Sequence, residues 1–500
     1  MAENSHIYEK VEKLSSAFDY KSGEVSIILA AGHGKRIKSH RSKMLHEIWG
    51  VPTVQRVYNA GHAAFPDVNS IVVVGIKASD VIDVIGKRER TLFAYQEVQK
   101  GTGHAVQIGL DRITSEGFKG TVYVLPGDMG LIDAETLSMF RKSFADSKND
   151  MMVLTGVYEG NPDENQYGRI IRIKEKDRDG KSSGTDAGKV LEIKEFKDIL
   201  SLNEDEPYVA VYNGKKYCYT REELLAINEY NSGVYAFDYE KLRKLVFSLS
   251  SDNAQNEIYI TDLISAFNSN GYSVGAVSPE HEYVVMGFND KSVLKEMEEI
   301  YRHKIYGKIK NIIEIDDPDD FYIEESVMND ILELDKQGVP LDIRIGRGVH
   351  IGKGVKLNYN VHLKKNVTVT GNVIFGKNVT VWENVLLSTF PHQKFTIGNN
   401  VEILWGDIIK GNISIGDGSR IESSVNMTGS DEYPLIIGKG VLVKGTSYIF
   451  GSVIENDVHI EHSVIIKKRI NRLIKRNGEL QKIRFYLPMP SGVDAVESLL

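Results

Sequence analysis

At 500 residues, the chain exceeds what one hydrophobic core usually organises, so two or more domains are expected. A net charge of −8 is mild and dispersed, which argues against partners such as nucleic acid or a membrane surface. No stretch approaches the ~20 apolar residues of a membrane span, and one cysteine, Cys218, allows no intrachain disulfide. The polar opening from Met1 to Tyr20 lacks an apolar signal core, and the expected setting is cytoplasmic.

Residues 1–24 read as an N-terminal helical arm with Ile7, Val11, Leu14 and Phe18 on one side. From Val25 the pattern alternates: strand Val25–Ala30, helix Thr53–Ala64, strand Ser70–Gly75, a helix starting at Val81, strand Leu92–Tyr95, helix His104–Ile113, strand Val122–Leu125. That alternation predicts an open, mainly parallel sheet covered by helices on both faces. The second half of this domain, which ends near 290, is mixed, with strands at Met151–Tyr158, Gly168–Arg172, Val190–Glu195 and Gly233–Phe237. Lys174–Lys189 is too charged and glycine-rich to bury. Ile199–Tyr217 carries Asn213-Gly214 between two aromatic-rich runs, a hairpin signature. Residues 291–340 are expected to be a helical linker.

Beyond 340 the period changes. Apolar residues fall on every sixth position: Ile345, Ile351, Leu357, Leu363, Val369, Phe375, Val381, Leu387, then Ile397 to Met427, then Ile437, Val443 and Ile449. Neither a helix nor a strand makes a six-residue rhythm, but a chain that turns a corner every six residues does, pointing one side chain per face inward. This predicts a three-faced β-solenoid over 341–466. Gly follows the beat at 346, 352, 376, 398, 416 and 438, where a permissive corner is expected. Breaks near Ser388–Lys394 and Gly429–Pro434 should be loops, and 467–500 a basic tail that caps the coil or packs on a neighbouring subunit.

Three segments carry candidate chemistry. After the first strand stands Leu29-Ala30-Ala-Gly32-His-Gly34-Lys35-Arg36, with Lys43 seven residues on. Glycines there bring backbone N–H groups to an anion, and the cations add charge. The segment satisfies neither the P-loop nor the dinucleotide pattern, and a plain strand-to-helix turn explains it equally well. Gln96-Glu-Val-Gln99-Lys-Gly101-Thr102-Gly103-His104 suits a nucleobase edge, or a helix start with Thr102 as cap. Asp128 ends Val122-Tyr-Val-Leu-Pro-Gly-Asp, at the sheet edge where open α/β sheets bind ligands, although such an Asp is also a common turn residue.

Together these segments resemble the sugar-1-phosphate nucleotidyltransferases. Leu29–Lys43 is similar to their Leu-x-x-Gly-x-Gly-Thr-Arg-Met…Pro-Lys signature, with Lys35 in place of Thr and Ser42 in place of Pro. Gln96–His104 resembles the uracil segment of the bacterial bifunctional N-acetylglucosamine-1-phosphate uridylyltransferase/acetyltransferase family. Tyr167-Gly168-Arg169-Ile170, Glu195, Asn228-Glu-Tyr-Asn231-Ser-Gly233, Asn253-Ala-Gln-Asn-Glu257-Ile-Tyr259 and Gly287-Phe-Asn289 follow in the family's order.

The resemblance implies an α/β, Rossmann-like nucleotide-diphospho-sugar transferase domain with a mainly parallel mixed sheet over 25–290. A left-handed parallel β-helix of hexapeptide repeats follows, and the implied assembly is a homotrimer. UTP and a sugar-1-phosphate are the implied substrates and Mg²⁺ the cofactor. Leu29, Ala30, Gly32, Gly34 and Lys43 would meet the nucleotide, Arg36 and Lys43 being the catalytic pair. Gln96, Gly101 and Thr102 would read uracil, Gly168, Glu195 and Asn231 would hold the sugar, and Asp128 and Asn289 would hold the metal. The solenoid departs from the family's acetyltransferase segments at Trp405-Gly-Asp-Ile-Ile and Asn426-Met-Thr-Gly429, where no histidine base stands. A scaffold is therefore expected there. Another sugar-1-phosphate, glucose first, and a silent nucleotide-sugar-binding paralogue are the competing readings.

Overall fold

The computed structural model describes every residue except 1, 33, 115–116, 162–164, 252–255 and 487–500; the side chains of residues 2–4 and 35 are likewise not described. The chain divides into two compact units, Met1–Glu298 and Glu299–Leu500.

The first unit is built on a mixed sheet whose main path runs Val274–Val277, Met151–Val157, Glu229–Asp238, Thr121–Pro126, Glu24–Ala30, Asn69–Val74, Thr91–Tyr95. Glu24–Ala30 lies parallel to both Asn69–Val74 and Thr121–Pro126, and Asn69–Val74 lies parallel to Thr91–Tyr95. Glu229–Asp238 enters antiparallel between Thr121–Pro126 and Met151–Val157. Successive side chains on a strand face opposite ways, so these apolar runs feed two cores. Ile28, Ala30, Val72, Val74 and Leu125 pack with Val54, Val57 and Tyr58 of the Thr53–Ala64 helix. Ile27, Ile71, Val73, Val122 and Val124 pack with Val106 and Leu110 of Thr102–Leu110. The first helix, Ala2–Leu14, is no detached arm: Val11 lies in the first core, and Lys10 Nζ donates to Ser79 Oγ at 2.7 Å. The predicted hairpin forms from Tyr208–Tyr212 and Lys215–Tyr219, with positive φ at both Asn213 and Gly214.

The second unit is a parallel β-helix: three sheets, each running coil to coil through short parallel strands. Two of these sheets start with Glu314–Ile315 and Phe321–Ile323, so the stretch read as a helical linker also supplies strands between helices Lys291–Ile309 and Glu325–Asp335. The six-residue beat marks buried positions throughout, except that Leu357 is half-exposed while Val355 is fully buried. Each face points two side chains inward rather than one, as Val361 and Leu363 or Val379 and Val381 show.

The expectation for the glycines needs correcting. Gly346, Gly376 and Gly416 do not supply a left-handed corner. A Cβ on each would fall 2.5–2.7 Å from backbone of the next coil, so they permit close stacking. Asn360, Asn366, Asn378, Asn384 and Asn400 adopt the positive φ instead, which Asn tolerates better than other residues with a side chain. Their amides form ladders, Asn360 Nδ2 donating to Asn378 Oδ1 at 3.0 Å and Asn378 Nδ2 to Asn400 Oδ1 at 2.9 Å. The two breaks in the beat are loops that meet: His392 Nε2 lies 2.8 Å from Asp431 Oδ2, and Gln393 Nε2 donates to Asp431 Oδ1 at 2.9 Å. One inward position is occupied by Asp407, fully buried between Val385 and Val425 of adjacent coils.

Candidate active site

The loops that leave the carboxyl ends of Glu24–Ala30, Asn69–Val74, Thr91–Tyr95 and Thr121–Pro126 gather at one edge of the sheet, where the parallel strands point their ends. Small residues allow the approach. Gly127 N–H donates to Leu29 O at 3.0 Å. A Cβ on Gly75 would sit 2.7 Å from Ala31 O and 2.8 Å from Gln99 Nε2, so the first loop and the Gln96 loop press on either side of it. Gly34 has φ +67°, and a Cβ there would strike Lys43 Cβ at 2.8 Å. That glycine is required twice over: by its backbone, and by the lysine stem packed against it.

The packing aims Lys43. Its side chain is 10% exposed, and Nζ lies 2.5 Å from Asp128 Oδ2 and 3.0 Å from Asn289 Oδ1. Nζ also stands 5.3 Å from the centre of the buried Phe288 ring, a cation–π distance. Asp128 and Asn289, 161 positions apart in sequence, thus converge on one positive charge. Gly287 borders the carboxylate, since a Cβ there would lie 3.4 Å from Asp128 Oδ2, an ordinary van der Waals contact. One carboxylate oxygen and one amide oxygen are the donor types that Mg²⁺ takes from protein when phosphates and water complete its shell. The residues therefore fit a hard divalent cation.

Other predicted residues join through a strut. Arg36 is exposed, and its Nη1 donates to Gln166 Oε1 at 2.9 Å. Next to it, Tyr167 OH donates to Gly287 O at 3.3 Å and its ring stacks on Tyr230. Fully buried Arg169 holds this strut from beneath, with Nη2 donating to Asn165 O at 2.8 Å and Nη1 to Tyr167 O at 2.5 Å. The sugar candidates adjoin it. Asn231 N–H donates to Gly168 O at 2.9 Å, and a Cβ on Gly168 would meet Glu195 Oε1 at 3.2 Å. Asn231 Oδ1 accepts from Gly233 N and from the buried Tyr235 hydroxyl, fixing the amide so that its NH₂ points away from those donors. A cavity of about 280 Å³ opens beside Glu195, lined also by Asp198, Tyr259, Thr261 and Asp262. Burial pushes the Glu195 carboxyl up to about 7, with Asp198 adding to the rise.

The Gln96 loop is tightly self-bonded. Gln96 is 2% exposed, and its Nε2 donates to Gly101 O at 3.2 Å and lies 2.9 Å from His104 Nδ1. Burial and Lys100 lower the His104 pKa, which keeps that ring neutral. Thr102 is not the cap: the helix starts at Thr102 with Gly101 as N-cap, and Thr102 Oγ1 accepts from Ile260 N at 3.2 Å. Gly101 has φ +104° and packs against Ile258. Leu29 contributes its carbonyl to Gly127, Ala30 is wholly buried beneath the loop, and Gly32 is exposed on it. Asn253, Ala254 and Gln255 of the Asn253–Tyr259 motif lie outside the described residues.

Gln166, Gly75 and Phe288 were not legible as site residues. Each acts through a partner more than 30 positions away in sequence, Arg36, Ala31 and Lys43 respectively, and no local spacing signals that. Ser42 departs from the family's proline yet has φ −56°, a proline-like backbone, so the turn that aims Lys43 keeps its shape.

Comparison with known proteins identifies the family. A family model described as "MobA-like NTP transferase domain" matches residues 26–314. The "Bifunctional protein GlmU" of Acetivibrio thermocellus is 36% identical over 304 residues, 61% of this chain and 57% of that protein. The protein of the same name from Thermoanaerobacter pseudethanolicus is 34% identical over 341 residues, 67% of this chain and 65% of that protein. A third, from Lactobacillus gasseri, is 35% identical over 302 residues, 60% of this chain and 57% of that protein. The chain thus spans less than two thirds of the length of these curated relatives.

Proposed function

This chain belongs to the MobA-like NTP transferase domain family, and from that premise we propose that it is a sugar-1-phosphate nucleotidyltransferase. The reaction is transfer of UMP from UTP to N-acetylglucosamine-1-phosphate, giving UDP-N-acetylglucosamine and pyrophosphate. The observation that carries the reading is the single point where Lys43, Asp128 and Asn289 meet above the glycine turn. Convergent charge at a sheet edge serves phosphoryl transfer, which depends on positioning and charge neutralisation more than on a protein nucleophile.

In this reading the sugar phosphate oxygen attacks the α-phosphorus in line, and pyrophosphate leaves. Lys43 and Arg36 offset phosphate charge, Arg36 being poised by Gln166. Backbone N–H groups of the turn around Gly32 and Gly34 face the nucleotide phosphates. Gln96, Gly101 and Thr102 hold the base, and Asn231, Gly168 and Glu195 hold the sugar. Asp128 and Asn289 would hold Mg²⁺, which when bound supplies charge neutralisation between the reacting phosphates.

Pyrophosphate release across a panel of NTPs and sugar phosphates tests the proposal. Turnover with UTP and N-acetylglucosamine-1-phosphate supports it, turnover with another pair, glucose-1-phosphate first, reassigns the sugar, and nucleotide-sugar binding without release makes the protein a silent binder.

For the second unit the reading is a scaffold that assembles a homotrimer without acetyl transfer. It is supported by apolar residues exposed on the outer side of one sheet: Ile408 at 39% and Tyr448 at 38% share a register column with Asn426 between them, and Ile466 at 37% lies in another column beside Phe450. Sedimentation equilibrium giving three chain masses is the expected result, and one mass removes the scaffold reading.

A further inference from the structure

The ammonium of Lys43 stands where the proposed cation would stand. It contacts the same two oxygens, Asp128 Oδ2 at 2.5 Å and Asn289 Oδ1 at 3.0 Å, that make up the donor set. Gly34 packs on the lysine stem and Phe288 faces the ammonium, and Asp128 is itself only 18% exposed. A second cation drawn to the same Asp128 Oδ2 and Asn289 Oδ1 would sit at contact distance from the ammonium, where like charges in a mostly buried site repel strongly. Displacement of Lys43 relieves that repulsion and frees both oxygens for a divalent ion.

Lysine suits an exchange of this kind. Its charge is a compact point on a flexible stem, so the ammonium can swing from one anion to another at small cost in geometry. Leaving Asp128 unpaired and partly buried is expensive, so the lysine stays until another anion takes it and another cation takes its place. A nucleotide phosphate brings both, since it attracts Lys43 and carries oxygens that complete a metal's shell.

We propose that Lys43 is an internal counter-ion that closes the Asp128–Asn289 pair to divalent cations until a phosphate draws its ammonium away. Cation and nucleotide then enter as a coupled pair, and the metal does not precede the nucleotide. This inference rests on the phosphoryl-transfer reading, but it makes a claim about ion binding that is measured without turnover.

The test is Mn²⁺ titration of the full chain, with free ion followed by electron paramagnetic resonance. Without nucleotide, Lys43→Met should bind one Mn²⁺ at least tenfold more tightly than wild type, and the gain should vanish in Lys43→Met/Asp128→Ala. With UTP present, wild type should hold Mn²⁺ at least tenfold more tightly than Asp128→Ala. Lys43→Gln, which keeps a polar end, should reproduce the Met result, and thermal melts of all variants verify folding. Wild type binding Mn²⁺ alone as tightly as Lys43→Met would overturn the exchange while leaving the transferase reading intact. A gain that survives Asp128→Ala would place the ion elsewhere and overturn it too. Failure of pyrophosphate release over the whole panel is a separate result, and it strikes the transferase reading alone.

Discussion

Each unit buries an ionisable group, and the two are treated in opposite ways. In the first, Lys43 is pressed between a carboxylate, an amide oxygen and an aromatic ring, so its charge is matched on every described side. In the second, Asp407 occupies an inward position of a coil otherwise filled by Val401, Ile403, Ile409, Ile413 and Ile415. Its Oδ1 accepts from Val425 N at 2.8 Å, and among the described residues its Oδ2 has no hydrogen-bond partner. Burial pushes that carboxyl up to about 8, so it is uncharged at neutral pH. The contrast separates a charge matched by its neighbours from a polar atom the solenoid tolerates only in protonated form.

The sharpest way to break this comparison is to remove the matched charge. Lys43→Gln should lower turnover about a hundredfold, as loss of a well-aimed charge contact typically does, with the melting temperature little changed. Initial rates of pyrophosphate release check it.

Removing the unmatched group should act on stability instead. Asp407 has a folded pKa above its ordinary 3.8, so across the window between them the folded chain binds more protons than the unfolded one. Stability contributed through this group is therefore highest below about pH 4, falls as pH rises toward about 8, and is flat above. Asp407→Asn keeps an acceptor for Val425 N and removes the charge. It should raise stability by roughly 1–2 kcal/mol at pH 5 and by several kcal/mol more, roughly, at pH 9, read by denaturant unfolding of the full chain at the two pH values.

A third test lies between the two cases. Glu195, raised to about 7, changes charge within the working pH range beside the proposed sugar phosphate. Affinity for the sugar phosphate should weaken about threefold as pH climbs through 7, where the carboxylate begins to repel the phosphate. In Glu195→Gln the KM should stay flat over the same range. The smallest effect is expected at Ser42. Its φ of −56° suits proline and its buried Oγ has no partner among the described residues, so Ser42→Pro should stabilise the protein by roughly 0.4–1 kcal/mol in chemical unfolding with turnover retained.

What could be read beforehand differs between the units for a physical reason. Helix Thr53–Ala64 and the strands of the first unit were legible because alternation and amphipathicity are local. The solenoid was legible because burial repeats every six residues, but the beat alone did not reveal the second inward residue of each face, nor that Val355 and not Leu357 fills the first coil. The glycines after the beat were assigned to corners when their role is contact between coils. Only the stacking distance reveals that. At the site, Gly34, Lys43 and Asp128 follow their strands closely and drew notice for it. Asn289 was reached through family resemblance, because nothing local in Gly287-Phe-Asn289 announces a partner 246 positions away at Lys43. Gln166 and Gly75 were missed because they support other residues.

The most direct test of the central claim is steady-state turnover of Asp128→Ala with UTP and N-acetylglucosamine-1-phosphate, measured beside its melting temperature. The expected result is an unchanged melt and turnover down by roughly a hundredfold or more. An Asp128→Ala enzyme with an intact fold and near-normal turnover would contradict it.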